Sequence, residues 1–243
     1  MSTWNARQLY QWLNFAQFRL LPACCVLCGR PAGRDLDLCR SCESHLPRLP
    51  EGCPRCARPL EGTLSCRQCP AAAAGLARTL AAHPYCEPIA TLVTRFKYQQ
   101  DLAAGRVLAE GLAARLPAHY QDAAWPELLL PVPLHPSRWR ERGYNQAALI
   151  AGDLGRLLGL PVASRLLERV RVTPPQQGLP AAERRRNLQG AFALAVAPLP
   201  EGLTRVALID DVVTTMSTAQ ALAEVLHARW PRLEVQLWCL ARA

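Results

Sequence analysis

The sequence predicts an α/β domain built on a mainly parallel sheet, preceded by a small metal-held module. From about Leu76 onward, short apolar runs of strand character alternate with helical patterns, which is how a parallel sheet covered by helices reads. Nine of the eleven cysteines fall between Cys24 and Cys69, and eight of them form CxxC pairs. The 243 residues allow one full domain and an appendage at about 150 residues per domain.

Along the chain, Leu9, Trp12, Leu13, Ala16 and Leu20 recur at three- and four-residue spacing. That predicts an amphipathic helix within residues 1–22, ended by Pro22. Its low basic content favours packing on its own protein over a membrane surface.

The cysteine module occupies residues 23–70. Its pairs are Cys25/Cys28, Cys39/Cys42, Cys53/Cys56 and Cys66/Cys69. Each pair forms a knuckle that turns two thiolates toward one metal, and two knuckles supply the four sulfurs that tetrahedral Zn²⁺ prefers. Two structural zinc sites are expected as consecutive ribbons, although pairing the first knuckle with the third satisfies the same spacing. The runs typical of ferredoxins are missing, which argues against an iron–sulfur cluster. Closed four-thiolate sites leave no coordination position for catalysis, so the module is structural or recognitive. Cys24, Cys86 and Cys239 are left over, and a buried free thiol is the expectation for the last two. Neither a signal peptide nor an apolar run of 18 residues is seen, which points to the cytoplasm, where thiols stay reduced.

Residues 76–243 form the second domain. Strands are expected at Arg78–Tyr85, Leu128–Val132, Val206–Ile209 and Glu234–Leu240, with a short apolar stretch near Leu166–Val170. Helices are expected at Ile89–Tyr98, Leu102–Leu116, Asn145–Leu158 and Ser217–Arg229, and a loop from Thr173 to Arg186. Ligands of such sheets lie beyond the carboxyl ends of the strands, which singles out the segments after Val132, Val170 and Ile209.

The stretch Val206–Ala219 is the most informative. Four apolar residues are followed by Asp210 and Asp211, then by Thr214, Thr215, Met216, Ser217 and Thr218 at the start of a helix. Hydroxyls, free backbone N–H groups and the positive end of the helix dipole together suit a phosphate. The two carboxylates suit ribose hydroxyls, with or without a Mg²⁺ bridge. Helix capping alone needs only one such residue.

The charge of +9 is carried by 28 basic residues of which Lys97 is the only lysine. Residues 134–190 hold ten arginines against four acidic residues, a net of +6. Arg138, Arg140 and Arg142, in an expected loop after a strand, suit a pyrophosphate or a nucleic-acid backbone. Gly143 lets that segment turn and Asn145 caps the following helix. Trp139, Tyr144 and Tyr98 are candidates for base stacking or for the core.

The Asp-Asp and Thr/Ser segment resembles the phosphoribosyl pyrophosphate (PRPP) signature of type I phosphoribosyltransferases. That resemblance implies that Asp210 and Asp211 hold the PRPP ribose, as the catalytic pair, and Thr214–Thr218 its 5′-phosphate, with Mg²⁺ accompanying PRPP. Met216 stands where those proteins usually have glycine, and a side chain there restricts approach to the phosphate. Pro131–Gln146 and Phe96-Lys97-Tyr98 are similar to motifs of the ComF/GntX group of bacterial phosphoribosyltransferase-like proteins. So is the long loop with Gln177-Gly178-Leu179 and Arg184-Arg185-Arg186-Asn187. That group also carries cysteine knuckles ahead of its α/β domain. The resemblance implies a phosphoribosyltransferase-like fold, a flexible loop at Gln177, Arg184 and Asn187, and Arg138, Arg142, Gly143 and Asn145 as a pyrophosphate or nucleic-acid loop. It further implies an acceptor chosen by a hood at residues 76–90, and a part in DNA uptake with single-stranded DNA and uptake-machinery proteins as partners. A non-catalytic, zinc-stabilised DNA-binding or scaffold protein that keeps the fold is the alternative.

Overall fold

The structure, a computed structural model, describes residues 22–60, 66, 69, 75–121, 123–172, 187–195 and 202–243. The expected N-terminal helix and the loop residues Gln177 and Arg184 lie outside the described residues. The cysteine module contains one short helix, α1 (Arg40–Ser44). The second domain then runs β1 (Arg78–Pro84), α2 (Ile89–Tyr98), α3 (Leu102–His119), β2 (Leu128–Pro131), α4 (Pro136–Arg142) and α5 (Gln146–Leu158). It continues with β3 (Leu167–Arg169), β4 (Phe192–Leu194), β5 (Arg205–Val213), α6 (Ser217–Arg229) and β6 (Glu234–Arg242).

Strands β1, β6, β5 and β2 lie side by side in that order, all parallel. Their near-continuous apolar runs follow from burial on both faces. Because side chains alternate along a strand, Val206 and Leu208 of β5 pack with α6 on one face, while Ala207 and Ile209 pack with α2, α3 and α5 on the other. β3 and β4 form a separate antiparallel pair.

The cysteine module docks on both faces of this sandwich. Its first half packs Cys25, Leu36 and Leu38 against Val107 of α3. Arg106 of α3 pairs with Asp37, and Arg95 of α2 donates to the Val26 carbonyl at 2.6 Å. Its second half joins the α6 face, where Cys53, Cys56 and Cys69 are buried in the same core as Leu208 and Leu226. Thr79 of β1 donates its N–H to the Pro54 carbonyl (2.8 Å) and its hydroxyl to the Arg55 carbonyl (2.7 Å).

Four expectations change. β5 does not stop at Ile209: β6 keeps pairing with it as far as Val213↔Arg242, so Asp210 and Asp211 lie within the ladder. The arginine-rich segment after β2 is helix α4, with the His135 side chain accepting from Ser137 N–H, Pro136 at its first turn and Gly143 ending it at φ 82°. Residues 78–84 form a buried strand of the main sheet, not a hood. Cys86 is exposed, whereas Cys239 is buried. Among the described residues no helix is long and apolar enough to cross a membrane.

Candidate functional site

Strand parity sets the acidic pair. Asp211 shares the parity of Ala207 and Ile209 and therefore projects toward the α2 face, where Lys97 Nζ meets its Oδ2 at 3.0 Å. Asp210 has the opposite parity and accepts the Asp211 N–H on Oδ1 at 2.9 Å. Burial and the neighbouring Asp211 charge push Asp210 up to about 7, against the pull of Lys97, the Asp211 N–H and Arg169. Burial disfavours the Lys97 charge, but Asp211 and Asp210 outweigh it and raise its pKa. Arg169, on β3, is lowered by burial and by the Arg138 charge while Asp210 opposes that shift. Lys97 and Arg169 thus act on the acidic pair from two separate elements, with Arg138 of α4 next to Arg169.

The hydroxyl loop follows immediately. Met216 precedes α6 with φ 65° and ψ 2°, in the left-handed region, and no side chain caps the helix there. Glycine adopts that conformation without strain, whereas a residue with a Cβ does not. The Met216 side chain is buried within the core that holds Leu188, Phe192 and Leu222, so it does not fill the space above the loop. Thr215 and Ser217 hydroxyls lie 3.0 Å apart, and Thr214 is exposed.

Two loop carbonyls are held from an unexpected direction. Arg242, buried at the end of β6, donates from Nη1 to Val213 O (2.8 Å) and Thr214 O (2.6 Å), and from Nε to Cys56 O (3.0 Å).

Around α4, Arg142 bonds Gln146 Oε1 (3.3 Å) and stacks 5.1 Å from the Tyr98 ring centre. Asn145 is a cap in fact as well as expectation: Oδ1 accepts from Ala147 N–H at 3.0 Å, and Nδ2 donates to Val132 O at 3.0 Å, tying the end of β2 to α5. Tyr144 belongs to the core, tilted against Phe96 with its hydroxyl donating to the Phe96 carbonyl. Trp139 and Tyr98 are exposed. Asn187 is half-buried, and its Nδ2 finds no partner among the described residues.

The eight cysteines form two clusters, Cys25/Cys28/Cys39/Cys42 and Cys53/Cys56/Cys66/Cys69, each with all its sulfurs within 4.8 Å of one another. The consecutive pairing therefore holds. A tetrahedron with Zn–S bonds of about 2.3 Å has edges of about 3.8 Å. The sulfurs of Cys28 and Cys39 are 3.9 Å apart, and those of Cys53/Cys69 and Cys56/Cys66 are 3.6 Å apart. Within the first cluster the thiols divide: burial raises the Cys25 pKa, but backbone N–H groups of Cys39, Cys28 and Leu27 bring it down to about 6, whereas the hydrogen bond with Cys39 and burial push Cys42 up to about 12. The residues fit two structural zinc ions.

Fold and clusters together define a zinc-ribbon protein of the parallel α/β class. A family model described as a double zinc ribbon domain matches residues 17–70. Over 235 residues the chain is 35% identical to competence protein F of Haemophilus influenzae, covering 95% of this chain and 100% of that one. It is 32% identical over 229 residues to DNA utilization protein YhgH of Escherichia coli K12, covering 91% and 98% respectively. Competence protein ComFC of Bacillus subtilis is 25% identical over 238 residues, covering 90% and 95%. At this identity and coverage the chain belongs to the ComF family.

Lys97, Arg169 and Arg242 escaped sequence reasoning as site residues. Only Lys97 carried a signal, as the single lysine of an arginine-rich chain and the centre of the Phe96-Lys97-Tyr98 motif.

Proposed function

We propose that this chain binds PRPP or a related phosphoribosyl ligand with Mg²⁺ and acts with single-stranded DNA in DNA uptake, in the cytoplasm beside uptake-machinery proteins. The observation that carries the ligand reading is the continuous run from the Asp210–Asp211 pair into a hydroxyl loop whose only bulky side chain, Met216, turns into the core. Thr214–Thr218 and the α6 amide groups take the 5′-phosphate. Asp210 and Asp211 take the ribose hydroxyls. Arg138 and Arg142, held by α4, Gly143 and Asn145, meet the pyrophosphate or a nucleic-acid backbone. Asn187 is helical, and with Gln177 and Arg184, which lie outside the described residues, it is assigned to ligand contacts. The carboxylate pair offers the oxygen donors Mg²⁺ prefers, and a cation relieves the repulsion that raises Asp210. When bound, the ion neutralises pyrophosphate charge.

In the type I transferases that the chain resembles, catalysis is chiefly positioning and charge stabilisation around the ribose. Pyrophosphate release from PRPP tests for that activity. The relatives' names, competence protein and DNA utilization protein, support the DNA-uptake setting.

The second reading is a non-catalytic DNA-binding or scaffold protein that retains the fold. It is favoured by the Lys97–Asp211 contact, since a carboxylate already neutralised is a weaker partner for a ribose–cation pair. Titration calorimetry with PRPP and Mg²⁺ separates the readings. Binding and pyrophosphate release that both vanish in the Asp210→Asn, Asp211→Asn chain support the enzyme. Binding without release supports the second reading, and no binding overturns the ligand assignment.

A further inference from the structure

We propose that Arg242 is a positioning residue that links the second four-cysteine site to the phosphate loop, so that zinc at Cys53/Cys56/Cys66/Cys69 and a phosphoribosyl ligand strengthen each other's binding. The residue is 5% exposed, and its guanidinium touches both partners. Nε donates to the carbonyl of Cys56, one of the four sulfur ligands (3.0 Å). Nη1 donates to the carbonyls of Val213 and Thr214, the last strand residue and the first loop residue (2.8 and 2.6 Å).

The Cys56 carbonyl is aimed by the knuckle turn, in which Cys56 and Ala57 N–H groups bond Cys53 O at 3.3 and 2.8 Å. Zinc holds such a turn because a module this small has little core of its own. Without the ion the Cys56 carbonyl is free to leave. A buried guanidinium that loses an acceptor retains a desolvated N–H, so it is driven to reorient. Its remaining acceptors are the neighbouring Ala243 carbonyl and the two carbonyls, of Val213 and Thr214, that set where the loop begins. Peptide planes at Val213 and Thr214 then turn, and with them the amide groups that would meet a phosphate.

Coupling between two sites is reciprocal. The first cluster provides an internal reference, because it packs on α3 at the opposite sheet face from the second.

The proposal rests on the ligand reading above, and two measurements keep the two separable. In the first, equilibrium competition with a zinc-selective chelator is run on the full chain with and without PRPP and excess Mg²⁺. One of two zinc equivalents is expected to become at least about 5-fold harder to remove, the lower end of typical couplings. That protection is expected to disappear in Arg242→Gln and to return in part in Arg242→Lys, while both variants keep two zinc ions. The Asp210→Asn, Asp211→Asn chain controls for metal drawn off by PRPP itself. Calorimetric PRPP binding with no change in either zinc equivalent overturns the coupling.

In the second, amide hydrogen exchange is measured over residues 213–218 in the Cys66→Ser chain, which lacks one ligand of the second site, and in Arg242→Gln. Faster exchange in both is expected. Unchanged exchange in both overturns the positioning role, whether or not PRPP binds.

Discussion

Lys97 Nζ and Asp211 Oδ2 lie 3.0 Å apart although 114 residues separate them in sequence, with side chains only 20% and 13% exposed. The contact joins the end of α2 to the central strand at the point where the sheet turns acidic. The Lys97 charge also lowers the pKa of Asp210 beside it, so Lys97 serves two carboxylates.

Lys97→Met is expected to destabilise the fold. Exposed pairs contribute about 0–1 kcal/mol, and removing one partner of a buried pair costs about 3–5 kcal/mol. This contact is intermediate in burial, so a loss of about 1–3 kcal/mol in urea unfolding is expected. Adding Asp211→Asn recovers part of the loss, since the orphaned charge is then gone. Additive effects of the two changes show that the pair is not coupled.

The sheet and its covering helices were legible in sequence because each strand is buried on both faces and reads as an apolar run. α2 and α6 were placed with their observed bounds for a similar reason, since both present a buried apolar stripe. α4 was not, because none of its seven residues is buried and no periodicity exists to read. Its end signals, Pro136 in the first turn and Gly143 at the C-cap, read equally as turn residues when no buried stripe lies between them. The acidic pair and hydroxyl loop are contiguous and could be read as one unit. Lys97, Arg169 and Arg242 reach that unit through tertiary contacts, which no local pattern encodes. β4 escaped because its three residues are defined only by pairing with β3.

Met216→Gly separates strain from packing. The left-handed backbone costs a residue with a Cβ about 1–2 kcal/mol, and glycine relieves it. Removing a buried methionine side chain costs about 2–5 kcal/mol. Packing outweighs strain, so thermal unfolding is expected to show a net loss of about 1–3 kcal/mol. Phosphate-ligand affinity is expected to stay within a few-fold of the parent, because the side chain points away from the loop. A net gain in stability shows that strain dominates instead.

His83 makes the docking of the cysteine module sensitive to acid. Its Nδ1 is 2.6 Å from Pro47 O, and its buried Nε2 has no partner among the described residues. Burial lowers its pKa below the ordinary 6.5, against the Pro47 carbonyl and helped by the Arg115 and Arg48 charges. The unfolded chain therefore takes up a proton first. This contribution to stability is present above pH 6.5 and declines as pH falls from there toward the lowered folded value. His83→Gln is expected to flatten the stability profile on the acid side of 6.5 while both zinc ions stay bound. An identical slope in the variant assigns the acid sensitivity to other groups.

Exposed aromatics beside the arginine-rich helix make the DNA reading testable without disturbing the fold. Tyr98 and Trp139 are 63% and 53% exposed, and Arg142 lies over the Tyr98 ring. Trp139 and Arg142 are three residues apart on α4, which sets them on one face. Stacking on such side chains contributes about 1–3 kcal/mol per base. Tyr98→Ala with Trp139→Ala is expected to weaken single-stranded DNA binding at least about 10-fold on that scale, with unchanged unfolding. Arg138→Gln is expected to lower the slope of log affinity against log salt by about 0.7 if it neutralises one phosphate. Tyr144→Ala serves as contrast: its ring packs on Phe96, so it loses stability first and DNA binding only as a consequence. Unchanged affinity in the double aromatic variant, with an unchanged salt slope in Arg138→Gln, places any DNA contact elsewhere on the chain.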